Sequence, residues 1–345
     1  MRRYLLFATE RYALAILRPL EAEIRKRGDE AAWFALGEAG RGLRPGESRL
    51  ATVREVKAFE PRAVFVPGNW VPDVFPGAKV EVFHGFNVQK RSRRKGHFRI
   101  RGFFDLYCTQ GPDTTEPFRL LAERHGYFRV VETGWPKLDP LFRAGRDPAP
   151  AAGRRPLVLY ASTFSAGLSS TGALYDLIRE ESARGRWDWL VTFHPKMPRE
   201  AVERYRALEG EHLSFADTDD VLPLLRRADV MLSDTSSIAS EFLLLDKPVV
   251  TFRNRAPGPQ LIDVTRPEQV VPALGRALGR PAALQAEIRR YAARIHPYRD
   301  GRSSQRVLAA ADDLVDRGPR DLRRKPLNLL RRLRARHAVR YYRLR

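Results

Sequence analysis

At 345 residues, with 43% hydrophobic and 30% charged side chains, the chain has the length of two ordinary domains and a globular balance. Its single cysteine, Cys108, excludes an internal disulfide framework and a cysteine-based metal cluster, and no run approaches the ~18 apolar residues of a membrane-spanning helix. The formal charge of +21 calls for a polyanion nearby: nucleic acid, anionic lipid or a phosphate-rich substrate.

In chain order, apolar runs predict strands at 3–8, 31–36, 63–66, 79–83, 104–109 and 128–132. Helical spacing covers 11–27, which Gly28 ends, then 50–59 and 115–126. Cys108 falls in the fifth run and reads as a buried structural thiol. Pro, Gly, Ala and Arg dominate 143–156, which is the predicted linker. The alternation then restarts, with strands at 157–161, 187–193, 213–216, 228–232 and 249–252. Helices are predicted at 171–184, 198–208, 219–226, 238–245, 267–279, 281–295 and 303–315. Strands alternating with helices predict parallel sheets covered on both faces. The expected organisation is an N-terminal Rossmann-like domain over 1–142, the linker, a C-terminal nucleotide-binding domain over 157–316, and a basic tail over 317–345. The two α/β domains would face each other across a cleft.

Ligands of open α/β sheets bind at the carboxyl ends of strands, so the residues there are the candidates. They are His84-Gly85; Ser162, Thr163 and Phe164; His194-Pro195; and the turn Asp234-Thr235-Ser236-Ser237. Gly85 is expected to make the sharp bend that leaves the imidazole of His84 open. A strand feeding a Ser/Thr turn at a helix start suits an anion, although Asp, Thr and Ser are also ordinary helix caps. Glu241, a helical turn after Ser237, could accept hydrogen bonds from ribose hydroxyls. Each histidine alone also fits a strand-end residue bonding a nearby carbonyl. Together they offer an imidazole able to take a proton near neutral pH and another able to balance phosphate charge.

Five segments in order carry a resemblance: Phe83-His84-Gly85, the run 159–164, Phe193-His194-Pro195, the run 233–237, and Asp300-Gly301-Arg302-Ser303-Ser304-Gln305-Arg306-Val307. Together, over about 79–308, they resemble the CDP-glycerol glycerophosphotransferase family of teichoic-acid primases and polymerases. That resemblance implies a GT-B fold, a CDP-alcohol donor, a lipid-linked or polymeric acceptor, and peripheral attachment to the inner face of the cell membrane. It implies His84 as general base and His194 beside the diphosphate. It also implies Ser162, Thr163, Asp234, Thr235, Ser236, Ser237 and Glu241 at the donor, with Ser303, Ser304 and Arg306 supporting the donor pocket. Asp234 is expected to cap its helix or orient His194. The chain departs from the family pattern at Phe83, Ser162, Ser165, Thr235 and Glu241, which leaves the donor alcohol open among glycerol, ribitol and others. No cofactor is expected, and without an Asp-x-Asp pair or His/Cys ligand spacing no metal is expected either.

The basic residues Lys90, Arg91, Arg93, Arg94 and Lys95 follow His84 and are expected on the acceptor side, holding headgroups or polymer phosphates. A solvated loop is the plainer alternative. In the tail, Leu327, Leu330, Leu333, Tyr341 and Leu344 fall near one helical face with arginines around them, as in a helix lying on an anionic membrane surface; a solvated basic tail also fits. A nucleotide-sugar glycosyltransferase of the same fold for surface polysaccharide is the competing enzyme. A nucleic-acid partner is not expected, since no nucleic-acid-binding motif accompanies the charge.

Overall fold

A computed structural model describes residues 1–86, 96, 98–143, 153–218, 220–318 and 321–342. The cluster Lys90, Arg91, Arg93, Arg94 and Lys95 lies outside the described residues, as does Leu344.

Six short strands build the first sheet: β1 (Arg3–Ala8), β2 (Glu30–Ala35), β3 (Ala63–Val66), β4 (Ala78–Glu81), β5 (Leu106–Thr109) and β6 (Arg129–Glu132). All neighbours are parallel, in the order β2-β1-β3-β4-β5-β6. Central strands such as β1 and β3 read as unbroken apolar runs because helices cover both faces, and from Tyr4 to Ala8 each side chain is at most 1% exposed. The helix Tyr12–Lys26 buries Leu14, Leu17, Leu20 and Ile24, the spacing expected of a core-facing stripe. Phe83, Tyr107, Phe118 and Phe128 interlock beside β4 and β5 in edge-on and tilted contacts. Cys108 is buried there, its thiol pushed up by desolvation.

The second sheet contains β7 (Leu157–Ser162), β8 (Asp188–Phe193), β9 (Leu213–Phe215), β10 (Val230–Ser233), β11 (Val249–Phe252) and β12 (Ile262–Val264). It is again all parallel, in the order β12-β11-β10-β7-β8-β9. Its core clusters Val158, Tyr160, Trp189, Val191, Val230 and Leu232 with side chains of the covering helices. β12 is the strand that apolar patterning misses: it is three residues long, sits at the sheet edge, and has Asp263 at its centre.

The division of the chain differs from the one expected. The first unit comprises Met1–Gly85, Phe98–Ala144 and Ile295–Arg345, and the second Phe86–His97 and Gly145–Arg294. The helix Ser303–Arg317 therefore belongs to the first unit, not to a C-terminal domain running to 316. Its start is fixed there by Asp139, whose two carboxylate oxygens accept the N–H groups of Ser303 and Ser304, each at 2.7 Å. Gly301 has φ +63°, and a Cβ on it would stand 2.5 Å from Cγ of Arg143, so glycine is required by both backbone and space. Further along, Asp312 receives the Tyr4 hydroxyl at 2.7 Å and the guanidinium of Arg62 at 3.0 Å.

The tail also packs onto the first unit. The helix Leu329–Ala338 turns Ala335, with Val339 beyond it, into the core beside Phe103 and Phe104. Arg336 makes a two-point ion pair with Asp73 at 3.0 and 2.6 Å. Tyr341 lies on this inward side, its hydroxyl accepting from Lys57 at 2.9 Å. Placing it on one face with Leu327, Leu330 and Leu333 is corrected: those three stay exposed while Tyr341 packs inward.

Candidate active site

In the second unit the carboxyl ends of three adjacent strands carry the candidates. Strands β8 and β9 leave β7 on one side and β10 to β12 on the other, so the topological switch point falls between β7 and β10, where doubly wound sheets bind ligands. Ser162 and Thr163 end β7, His194 follows β8, and the Asp234 turn follows β10.

Asp234 is wholly buried and ties the two sides of the switch point together. One carboxylate oxygen accepts the Ser162 hydroxyl at 2.5 Å and the Ser170 N–H and hydroxyl at 3.0 Å each. The other accepts the Thr163 N–H at 2.9 Å. Burial raises its pKa, and the bonds from Ser162, Thr163 and Ser170 pull the other way. Asp234 thus shapes the loop after β7; neither a helix cap nor a hold on His194 describes its contacts. Ser233 adds a second tie, its hydroxyl donating to the Ala161 carbonyl at 2.6 Å.

Within the turn the hydroxyls divide. Thr235 is 1% exposed, and its oxygen accepts the Arg255 N–H at 2.9 Å, so it fastens the turn to the segment after β11. Ser236 and Ser237 are half-exposed. Ser237 stands at the head of the short helix Ile238–Leu243 with φ −69° and ψ −19° and makes no side-chain capping bond. These two hydroxyls are the solvent-accessible ones of the turn. Glu241 is buried on that helix, one turn after Ser237.

His194 is half-buried, with the ring of Phe164 at 4.5 Å. Its Nδ1 lies 3.0 Å from the Lys196 backbone N–H, a group that can only donate. Nδ1 is therefore an acceptor, and the proton of the imidazole sits on Nε2. An Nε2–H donor is of the polarity that suits a phosphate oxygen.

In the first unit His84 shows the opposite arrangement. Its Nδ1 is 2.9 Å from the Pro67 carbonyl oxygen, a group that can only accept. Nδ1 carries the proton, and Nε2 is the basic nitrogen. The imidazole is exposed and lies against Tyr12, with ring centroids 5.5 Å apart. Burial pushes the Tyr12 hydroxyl up to about 12, and the charges of Glu10 and Glu81 add to that. Glu81, in β4 three residues earlier, is held well above the usual carboxylate range by burial, with Arg101 opposing.

The bend before His84 is made differently from the expectation. Phe83, not Gly85, takes the left-handed conformation, at φ +59°. Such a backbone is strained for an aromatic residue. Here it is held on both sides: Trp135 donates its indole N–H to the Phe83 carbonyl at 3.3 Å, and Gln110 its amide to the Gly85 carbonyl at 3.2 Å.

Ser303, Ser304 and Arg306, expected to support the donor pocket, lie in the first unit and anchor the start of their helix there. The two serines dock on Asp139, as above. Arg306 clasps Asp300 through both terminal nitrogens, donates to the Thr133 carbonyl at 3.1 Å, and covers the Tyr298 ring at 4.0 Å. Patterning also missed Ser170, Asn254 and Arg255. Asn254 donates to the Asp234 carbonyl at 3.2 Å. Asn254 and Arg255 follow β11, and extending the strand-end rule to that strand would have found them. Among the described residues no group of three or more His, Cys, Asp or Glu side chains is placed to hold a metal ion.

Two parallel-sheet α/β units of this kind define the GT-B class, and solved structures agree across nearly the whole chain. A putative UDP-N-acetylglucosamine 2-epimerase from Listeria monocytogenes superposes with a TM-score of 0.65 at 15% identity, covering 94% of this chain and 99% of its own. MnaA of S. aureus with UDP gives 0.65 at 13%, covering 94% and 99%. The wall teichoic acid polymerase TagF gives 0.64 at 14%, covering 92% and 90%. At such identities the likeness is one of fold. Residues 118–256 match the family described as CDP-glycerol:poly(glycerophosphate) glycerophosphotransferase. The matched stretch holds Ser162, Thr163, His194, the Asp234 turn and Glu241; His84 and the Ser303 helix lie outside it. A search of curated proteins finds no match.

Proposed function

We propose that the chain moves a glycerol-phosphate-type group from a CDP-alcohol to a hydroxyl of a membrane-associated acceptor in teichoic-acid-like polymer synthesis, releasing CMP. The observation that carries this reading is the switch-point turn. Ser236, the Ser237 hydroxyl that makes no capping bond, and His194 with its proton on Nε2 offer donors at the ends of β10 and β8, on either side of β7, inside the stretch that matches the family. A CDP-alcohol diphosphate needs such donors most when charge builds on the departing CMP. In the transfer, an acceptor oxygen forms a bond to the distal phosphorus and the phosphorus–oxygen bond to CMP breaks. The acceptor proton goes to Nε2 of His84, a step worth about two to four decades in rate. Glu241 is assigned to the ribose.

The test is a donor panel of CDP-glycerol, CDP-ribitol and UDP-N-acetylglucosamine with a membrane extract, scored by the nucleotide released and by product mass. CMP release with a mass gain of one polyol phosphate supports the reading. UDP release with a sugar mass gain replaces it with a glycosyltransferase.

A further inference from the structure

A second cationic site lies in the first unit, at the amino ends of β4 and β5, the end of the sheet away from His84. It is a cavity of about 190 Å3 walled by Val71, Gly102 and Phe103 and lined by Asp73, Lys79, Lys325 and Arg332. That is smaller than the ~300 Å3 at which pockets for drug-sized ligands begin, so it suits a small anionic group rather than a nucleotide.

The charges around it do not cancel. Asp73 is answered by Arg336, and Lys325 by Asp105 at 2.6 Å. Lys79 is only 8% exposed, its ammonium donating to the Gly77 carbonyl at 2.6 Å. Among the described residues neither Lys79 nor Arg332 forms an ion pair with a carboxylate. A buried ammonium without a carboxylate in ion-pair contact is costly, and burial with Lys325 nearby brings Lys79 down to about 8, although Asp105 and Asp73 oppose it. Lys79 and Arg332 together leave two positive charges, which a phosphate monoester, at about −1.5 to −2, matches.

The same helix that supplies Arg332 bears an exposed apolar face. Leu329, Leu330 and Leu333 on it, and Leu327 just before it, are 63%, 74%, 49% and 72% exposed, with Arg331 and Arg334 between and after them in sequence. Exposed leucines interspersed with arginines complement a leaflet carrying anionic headgroups.

We propose that this pocket, with Lys79 and Arg332 as its charges, binds the phosphate-monoester headgroup of an anionic lipid whose leaflet receives the leucine face. The source of the ligand rests on the membrane half of the function proposed above; the chemistry of the pocket does not.

The experiment is flotation of the full chain with vesicles of phosphatidylcholine alone, or with phosphatidic acid or phosphatidylglycerol at matched surface charge. At least fivefold greater retention on phosphatidic acid is expected, reduced to the phosphatidylglycerol level in Arg332→Gln and by excess glycerol 3-phosphate. Leu330→Ser with Leu333→Ser should abolish retention on every vesicle. Because Ala335 and Val339 are core residues, point substitutions serve here where removal of the tail would open the unit. Should Lys79→Met fail to fold, Arg332→Gln carries the test. Equal retention on both anionic lipids, an unchanged preference in Arg332→Gln, or retention indifferent to the leucines overturns the proposal. So does binding of glycerol 3-phosphate without vesicle retention, or a dimer that the leucine substitutions dissociate. Normal CMP release by a chain indifferent to phosphatidic acid overturns this site alone. Phosphatidic acid preference without CMP release overturns the transferase reading alone.

Discussion

Nδ1 of His84 lies 2.9 Å from the carbonyl oxygen of Pro67. The contact settles which nitrogen is basic, and its consequence is testable by separating two kinetic constants. His84→Ala should lower kcat about a hundredfold to ten-thousandfold while the KM for the CDP-alcohol changes less than threefold, because in the proposed transfer the residue takes the acceptor proton. His84→Gln retains the shape but not the basicity and should be similarly slow. Near-normal turnover in either variant removes His84 from the base role.

The Ser162–Asp234 bond leads to a different outcome. Asp234 collects four hydrogen bonds from the loop after β7 and the helix approach beyond it. Asp234→Ala leaves the N–H groups of Thr163 and Ser170 without that acceptor, at about 1–3 kcal/mol for each buried group. The variant should melt several degrees lower and bind donor at least tenfold more weakly. Asp234→Asn, which keeps one oxygen and so at most three of the four bonds, should fall between. Melting curves and donor titration by calorimetry check both; an Asp234→Ala chain that melts and binds as before removes the clamp.

How much of this was legible beforehand follows from distance along the chain. Buried parallel strands announce themselves as continuous apolar runs, which is why β1, β3, β7 and β10 read clearly, while the three-residue β12 with Asp263 inside it does not. Strand-end inspection found Ser162 and Asp234 separately. That they are partners depends on β7 lying next to β10, a strand order that no local pattern encodes. The return of the chain to the first unit rests on contacts such as Asp139 with Ser303, 164 residues apart. The left-handed Phe83 was hidden because the neighbouring Gly85 offers the more economical bend, and only the grip of Trp135 and Gln110 makes the aromatic conformation tenable.

Ser236 and Ser237 offer a cleaner probe of the donor site than Asp234. Neither is buried, and Ser237 makes no capping bond, so removing the hydroxyls should leave melting unchanged within about a degree. Each hydroxyl–phosphate hydrogen bond is of the charge-assisted kind, about 1.5–3 kcal/mol. The double variant Ser236→Ala with Ser237→Ala should therefore raise the donor KM at least tenfold. Unchanged donor binding in a normally folded double variant moves the diphosphate elsewhere.

The last expectation concerns acid stability. Nε2 of His296, 1% exposed, accepts the Trp135 N–H at 3.0 Å. That bond requires the neutral ring, and burial, with Arg306 adding to it, brings the imidazole down to about 4 from 6.5, against the opposing effect of Asp300. The folded pKa is below the unfolded one, so between these values the unfolded chain binds the extra proton. The stabilisation is complete above about pH 6.5 and is lost progressively as pH falls toward 4. His296→Gln, which can still accept through its amide oxygen, lacks this titration. Its melting temperature should start lower at pH 7.5 and decline less steeply between pH 6.5 and 4.5 than that of the parent. Parallel declines in the two proteins would show that other carboxylates, not His296, set the acid limit of the fold.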